Sequence, residues 1–139
     1  MGELDNIKRK CRMLKGCEKI ESITSLKGAV EMLYTPQGRE FFKKTGFPDI
    51  ETLRSVSHKT DCGIVADEGR CSVGYHDVII TGDTNATLYA SKPTKLYRVI
   101  VAHGATVRIV ASQYAVVTAT NIGGNIAVSN DGTAKVTIE

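Results

Sequence analysis

Few side chains in this sequence can ligate a metal or act as nucleophiles. Four cysteines (Cys11, Cys17, Cys62 and Cys71) accompany three histidines (His58, His76 and His103). His58, Cys62, Cys71 and His76 read H-x3-C-x8-C-x4-H, and two thiolates with two imidazoles make a sensible tetrahedral zinc shell. Zinc sites, however, usually bring ligands in close pairs such as C-x2-C, because a tight knuckle aims two sulfurs at one point. Neither pair here has that spacing. The expectation is therefore no metal and no cofactor, with Cys62 and Cys71 as buried or half-buried thiols. An alternative places them across a hairpin turning at Asp67-Glu68-Gly69, near enough to pair if oxidised, though in a cytoplasmic protein they would normally stay reduced.

A second constellation centres on His103, which precedes Gly104 at an expected turn, with Tyr97, Arg98 and Arg108 on adjacent expected strands. An imidazole, a phenol and two guanidinium groups at one strand edge suit a phosphate or nucleotide, the arginines supplying paired donors. The plainer alternative is a turn histidine with two arginines on an outer face. Lys8, Arg9, Lys10, Arg12 and Lys15 form a third group that would attract an acidic partner surface, or else make up a solvated helix face. The chain carries a net charge of +3. That charge is N-terminal: residues 1–59 hold 12 Lys/Arg against 8 Asp/Glu, and residues 60–139 hold 6 against 7. Nucleic-acid binders usually show a larger excess, and no aromatic residue sits among these cations to stack a base, which argues against nucleic acid.

Enzyme signatures are missing: there is no G-x-S-x-G, H-E-x-x-H, G-x-x-x-x-G-K-[ST], or G-x-G-x-x-G opening a helix after a strand. No residue is therefore assigned as catalytic. The acidic residues of the second half (Asp61, Asp67, Glu68, Asp77, Asp83 and Asp131) fall mostly at expected turns, where carboxylates bond the backbone. A carbohydrate- or nucleotide-active enzyme is the weakest of the alternatives, since a groove for a sugar chain needs a longer coil.

Two kinds of element must position these groups. Leu4, Ile7, Cys11 and Leu14 recur at helical spacing, opposite the Lys/Arg group, and Gly16 is placed to stop that helix. Ser22 or Ser25 can cap a second helix carrying Leu26, Val30 and Leu33 and ending near Tyr34. Thr35-Pro36 reads as an N-cap followed by a first-turn proline, with Phe41 and Phe42 on the apolar side and Gly46 as the stop. Pro48 breaks the chain, and Asp49 can cap a last helix bearing Ile50, Leu53 and Val56.

From about residue 58 the pattern becomes alternation rich in Val, Ile and Thr, with strand centres near Ile64, Val73, Ile79, Leu88, Val99, Ile109, Val117, Val128 and Val136. The expected class is α+β: a helical head over 1–57, then an all-β repeat over 58–139. The cadence of just under ten residues per strand and turn fits a β-solenoid or an antiparallel sandwich. Asn130-Asp131-Gly132 favours a hairpin. The absence of Trp, and of any Phe after Phe47, favours the narrow coil of a solenoid, which Val, Ile and Ala can fill. Its inward rows would include Val107, Ile109, Ala119, Ile126, Val128, Ala134, Val136 and Ile138. Outward would lie Val110, Thr118, Thr120, Ala127 and Ser129, within a stretch from Ile109 to Asn130 that holds no Asp, Glu, Lys or Arg. Such an uncharged face points to cover by a second subunit, hence a homo-oligomer.

Three segments, Thr35-Pro36-Gln37-Gly38-Arg39-Glu40-Phe41, Gly46-Phe47-Pro48 and Ala102-His103-Gly104-Ala105 followed by Ser112-Gln113-Tyr114-Ala115-Val116-Val117, make the chain resemble small proteins carried by gut bacteriophages and prophages. The resemblance covers less than half the chain. It implies a helical head followed by stacked short strands and a viral accessory role, with no activity or catalytic residue to carry over. With 42% hydrophobic residues and no apolar run of membrane-spanning length, a cytoplasmic protein that does not enter membranes is expected. The leading expectation is a non-catalytic protein that self-assembles and binds or blocks a macromolecular target, such as a host protein. The alternative is a module that sequesters a nucleotide or similar anion.

Overall fold

In a computed structural model of the chain, residues 3–13, 25–56, 59–74 and 76–139 are described. The chain divides into two compact units, Met1–Cys62 and Gly63–Glu139. The boundary lies a few residues beyond the expected one, because Lys59–Cys62 forms a 3₁₀ turn that groups with the helices.

The first unit contains α1 (Glu3–Met13), α2 (Leu26–Glu31) running into a 3₁₀ turn (Met32–Tyr34), α3 (Pro36–Thr45) and α4 (Ile50–Ser55). Leu4, Ile7 and Cys11 form the half-buried stripe of α1, while Arg9 and Arg12 are exposed. Leu14, Lys15, Gly16, Cys17 and Ser22 lie outside the described residues. Ser25 caps α2, its Oγ accepting from the Gly28 N–H at 3.0 Å. Thr35 caps α3 in the same way, its Oγ1 accepting from Gly38 N–H at 3.0 Å, with Pro36 in the first turn and Gly46 ending the helix at φ +73°. A left-handed residue satisfies the last carbonyls at little steric cost only when it lacks a Cβ. Asp49 takes the expected N-cap position of α4, and its carboxylate accepts from the Thr52 hydroxyl. Phe42 is fully buried, and the Phe41 ring meets Phe47 edge to face at 6.4 Å.

The second unit is a β-solenoid. Its nine strands are β1 (Ile64–Ala66), β2 (Gly69–Val73), β3 (Asp77–Thr81), β4 (Thr84–Ala90), β5 (Leu96–Ala102), β6 (Thr106–Ala111), β7 (Val116–Ile122), β8 (Asn125–Asn130) and β9 (Lys135–Ile138). They alternate between two sheets, β1-β3-β5-β7-β9 and β2-β4-β6-β8, and every neighbouring pair is parallel. Each coil therefore uses two strands, one per sheet. Ile79 stands on Ile64, Ile100 on Ile79, Thr120 on Ile100 and Ile138 on Ala119, so a coil advances 15, 21, 20 and then 19 residues.

The interior between the sheets is built from short rows. Leu88, Ile109 and Val128 form one, and Val78, Val99, Ala119 and Ile138 another. Branched and small side chains stack here because each inward position meets its like one coil on, and no aromatic larger than Tyr97 is needed to fill the gap. Strands β3 and β5 are buried on both faces, Ile79 and Ile100 as well as their inward neighbours, the usual state of parallel strands.

Two turn expectations are corrected. Asp67-Glu68-Gly69 and Asn130-Asp131-Gly132 are not hairpins: each turns the chain from one sheet to the other, so the strands it joins are not neighbours. The Asp-Gly preference reflects a need for a tight turn with a left-handed residue, and Gly132 at φ +98° supplies it equally to a coil corner. Asn130 Oδ1 accepts from the Gly132 N–H at 2.9 Å, and Asp131 Oδ1 from the Thr133 N–H at 2.9 Å. Corners also stack on one another: Asp67 Oδ1 accepts from Asp83 N–H at 2.8 Å, and the Gly104 N–H donates to Gly123 O at 2.8 Å.

Candidate functional site

The four residues expected to gather an anion do not converge. Tyr97 is 2% exposed and faces the interior, where its ring lies 5.0 Å from that of His76. Arg98, the next residue, faces outward from the first sheet and grips Asp77 on the neighbouring strand, Nε to Oδ1 at 2.7 Å and Nη2 to Oδ2 at 2.8 Å. His103 stands in the corner beyond β5, five residues further along a strand that rises ~3.3 Å per residue, which puts about 16 Å of backbone between it and Arg98. Arg108 projects from the outer face of the second sheet. Alternation along the strand and the change of sheet send these side chains in different directions, a separation that sequence adjacency conceals. Asp77 is likewise a strand residue with an ion-pair partner and not a turn carboxylate.

Of the zinc-like set, His58 lies outside the described residues. Cys62 belongs to the 3₁₀ turn of the first unit, and Cys71 packs against the solenoid interior as a free thiol. Burial, and secondarily the charge of Glu68, pushes the Cys71 thiol above its ordinary pKa, which disfavours the thiolate. Among the described residues no three His, Cys, Asp or Glu side chains group to hold a metal. The basic group on α1 is split as well. Lys10 turns toward α4 and its Nζ donates to Thr52 Oγ1 at 3.0 Å, Arg9 bonds Asn6 on its own helix at 3.3 Å, and Arg12 is exposed. Lys8 is half-buried, and Lys15 lies outside the described residues.

The positions expected to share one uncharged outer face are also divided. Thr118 and Thr120 belong to the first sheet, where Thr120 is 1% exposed; Val110, Ala127 and Ser129 belong to the second.

What the coil does assemble is an apolar, aromatic edge. Leu96 and Val116 are register partners facing outward at the start of β5 and β7, 50% and 37% exposed. Tyr114 sits in the corner just before β7 and is 69% exposed; Tyr89, near the end of β4, is exposed as well. The corner that precedes β5 adds exposed Lys92 and Lys95. The backbone that presents Tyr114 is unusual: Gln113 and Tyr114 are successive non-glycine residues in the left-handed region, at φ +52° and +63°. Each such residue costs about 1–2 kcal/mol. The corner of the following coil offsets this cost, with Asp131 Oδ2 accepting from Gln113 N–H at 3.3 Å and Thr133 Oγ1 from Tyr114 N–H at 3.0 Å. Hydrogen bonds from Thr133, side chain first, hold the Asp131 carboxyl below its ordinary pKa. Strained backbone of this kind concentrates where a side chain must be aimed. None of the four apolar residues was singled out from sequence as a site. The available signal was the Ser112-Gln113-Tyr114 turn, which puts a large aromatic residue where turns favour small polar ones.

No helix among the described residues is long and apolar enough to cross a membrane. Comparison with family models, with curated proteins and with solved structures finds no match for this chain.

Proposed function

We propose that the chain is a non-catalytic binding protein of the cytoplasm whose β-solenoid docks a macromolecular target and also self-associates. The observation that carries this reading is the strained presentation of Tyr114 beside the exposed Leu96–Val116 pair. Exposed aromatic and aliphatic groups flanked by Lys92 and Lys95 suit a partner protein with an apolar centre and an acidic rim. The exposed arginines of α1 offer a second, weaker point of attraction for the same kind of surface. The resemblance to phage proteins directs the choice of target: a protein of the host cell, captured or blocked.

The test is affinity capture from host extract with the wild-type chain and with a Leu96→Ser/Tyr114→Ser double variant that keeps the wild-type circular dichroism. A partner retained by the first and lost by the second supports the reading, with the direct complex then measured using purified components. Identical recovery by both chains removes the corner patch from the account.

A further inference from the structure

We infer that the outer face of the second sheet, around Tyr89 and Arg108, binds single-stranded RNA. This goes beyond the protein target proposed for the Tyr114 corner. Alternation along β4 and β6 turns Asn85, Thr87 and Tyr89, and Thr106, Arg108 and Val110, away from the interior. Arg108 stands in register with Thr87, and Tyr89 with Val110. Tyr89 and Arg108 are therefore diagonal neighbours, with Cα atoms about 8 Å apart for strands ~4.8 Å apart that rise ~3.3 Å per residue. Both side chains are exposed, Tyr89 at 53%.

The two sheets dispose their arginines differently. On the first, Asp77 on the neighbouring strand neutralises Arg98. On the second, the cross-strand neighbours of Arg108 are Thr87 and Ala127, and among the described residues its guanidinium has no ion-pair partner. No strand of the second sheet contains an Asp or Glu. The carboxylates of its corners are remote: Asp83 before β4 and Asp131 after β8 each stand about 14 Å from Arg108 by strand spacing and rise, beyond the ~10 Å screening length at 0.1 M salt. The corner that follows β4, on the Tyr89 side, instead adds exposed Lys92 and Lys95.

An unneutralised guanidinium beside an exposed phenol ring fits a phosphate on Arg108 with a base stacked on Tyr89. An acidic protein segment would meet Arg108 but brings no planar group in step with its charges. A duplex hides the faces of its bases, so the ring selects a single strand. On an open sheet face one nucleotide gains a single pair of contacts, whereas a strand reaches Lys92 and Lys95 as well. Thr87, beside Arg108, and the register pair Asn85 and Thr106 offer hydroxyl and amide groups to a 2′-hydroxyl, which selects RNA over DNA. The cations of α1 have no aromatic residue among them; here the coil brings one to the arginine from a strand a full turn away.

The experiment is fluorescence anisotropy of a labelled oligouridylate of about 12 nucleotides with the full chain, over a range of salt. Wild type is expected to bind with a Kd between about 1 and 100 µM near physiological salt. With Arg108, Lys92 and Lys95 each meeting a phosphate, log Kd should rise with log salt at a slope near ~2, and Arg108→Gln should lower that slope by about 0.7. Tyr89→Ala is expected to weaken binding about tenfold, and Tyr89→Phe, which keeps the stacking face, by less than about twofold. Both positions are exposed, circular dichroism checks that each variant keeps its fold, and the wild-type salt slope needs no variant. A matched poly-glutamate should bind at least about tenfold more weakly and a deoxy oligomer at least about threefold more weakly. The Leu96→Ser/Tyr114→Ser variant should bind RNA as wild type does, so this inference and the protein-docking reading fail separately. No binding by wild type at about 1 mM, a slope near zero, or equal binding by wild type, Tyr89→Ala and Arg108→Gln overturns the site. Equal binding of poly-glutamate overturns nucleic acid as the ligand, and equal binding of the deoxy oligomer overturns the selection of RNA.

Discussion

Shortening an inward-row side chain should cost less where the row is more exposed. Ile109 and Val128 are consecutive in one row of the second sheet, at 0% and 41% exposure. Ile109→Ala removes three carbons from a site enclosed by coils on both sides. At about 0.8 kcal/mol per methylene the transfer loss is ~2.4 kcal/mol, and a partly unrelaxed cavity raises the total to about 4 kcal/mol. Val128→Ala removes two carbons already partly in water and leaves no enclosed cavity, so about 1 kcal/mol is expected. Urea unfolding followed by far-ultraviolet circular dichroism should show the first variant losing about 2 M in midpoint and the second about 0.5 M, for a slope near 2 kcal/mol/M. Because two units can unfold separately, hydrogen exchange of the β6 amides assigns the transition to the solenoid. Equal costs at the two positions would refute the difference in burial, and a larger cost at Val128 would refute the row itself.

Two further outcomes concern the helical unit. Gly38→Ala, usually stabilising within a helix, should here destabilise by about 2–3 kcal/mol, because a Cβ would stand 2.0 Å from Met32 O and 2.9 Å from Leu33 Cα, both backbone; thermal melting of the variant checks it. Asp49 is pushed up by burial, but its bond from Thr52 and the charge of Lys10 outweigh this and leave its pKa below the ordinary value. A carboxylate depressed on folding adds stability above its unfolded pKa that is lost as pH falls through the folded one. The unit's melting temperature should therefore drop below about pH 4, and Asp49→Asn should flatten that dependence.

The caps and stops of the helical unit were legible at residue level because they are local: Ser25, Thr35-Pro36 and Gly46 act within a turn of their own position. Asp49 stands at the expected N-cap position, and the bond its carboxylate takes from the Thr52 hydroxyl was not legible. All nine expected strand centres fall inside observed strands, since alternation and turn residues are also local signals. The anion site failed for the opposite reason. Tyr97, Arg98, His103 and Arg108 are close in sequence, yet alternation and the change of sheet part them, and only the coil shows that Arg98 is committed to Asp77 across 21 residues.

Read alone, the sequence determined where helix gives way to strand and where each strand is centred, and it favoured a slender β-unit over a sandwich, because Val, Ile and Ala fill a narrow interior and little else was available to fill a wide one. The tertiary structure decided which strands are neighbours, and with that everything depending on register: the parallel stacking, and the corner that aims Tyr114 beside Leu96 and Val116. Register is a long-range property. Each strand finds its partner one full coil away, and the free energy that selects the pairing comes from rows of side chains brought together only once the coil has closed.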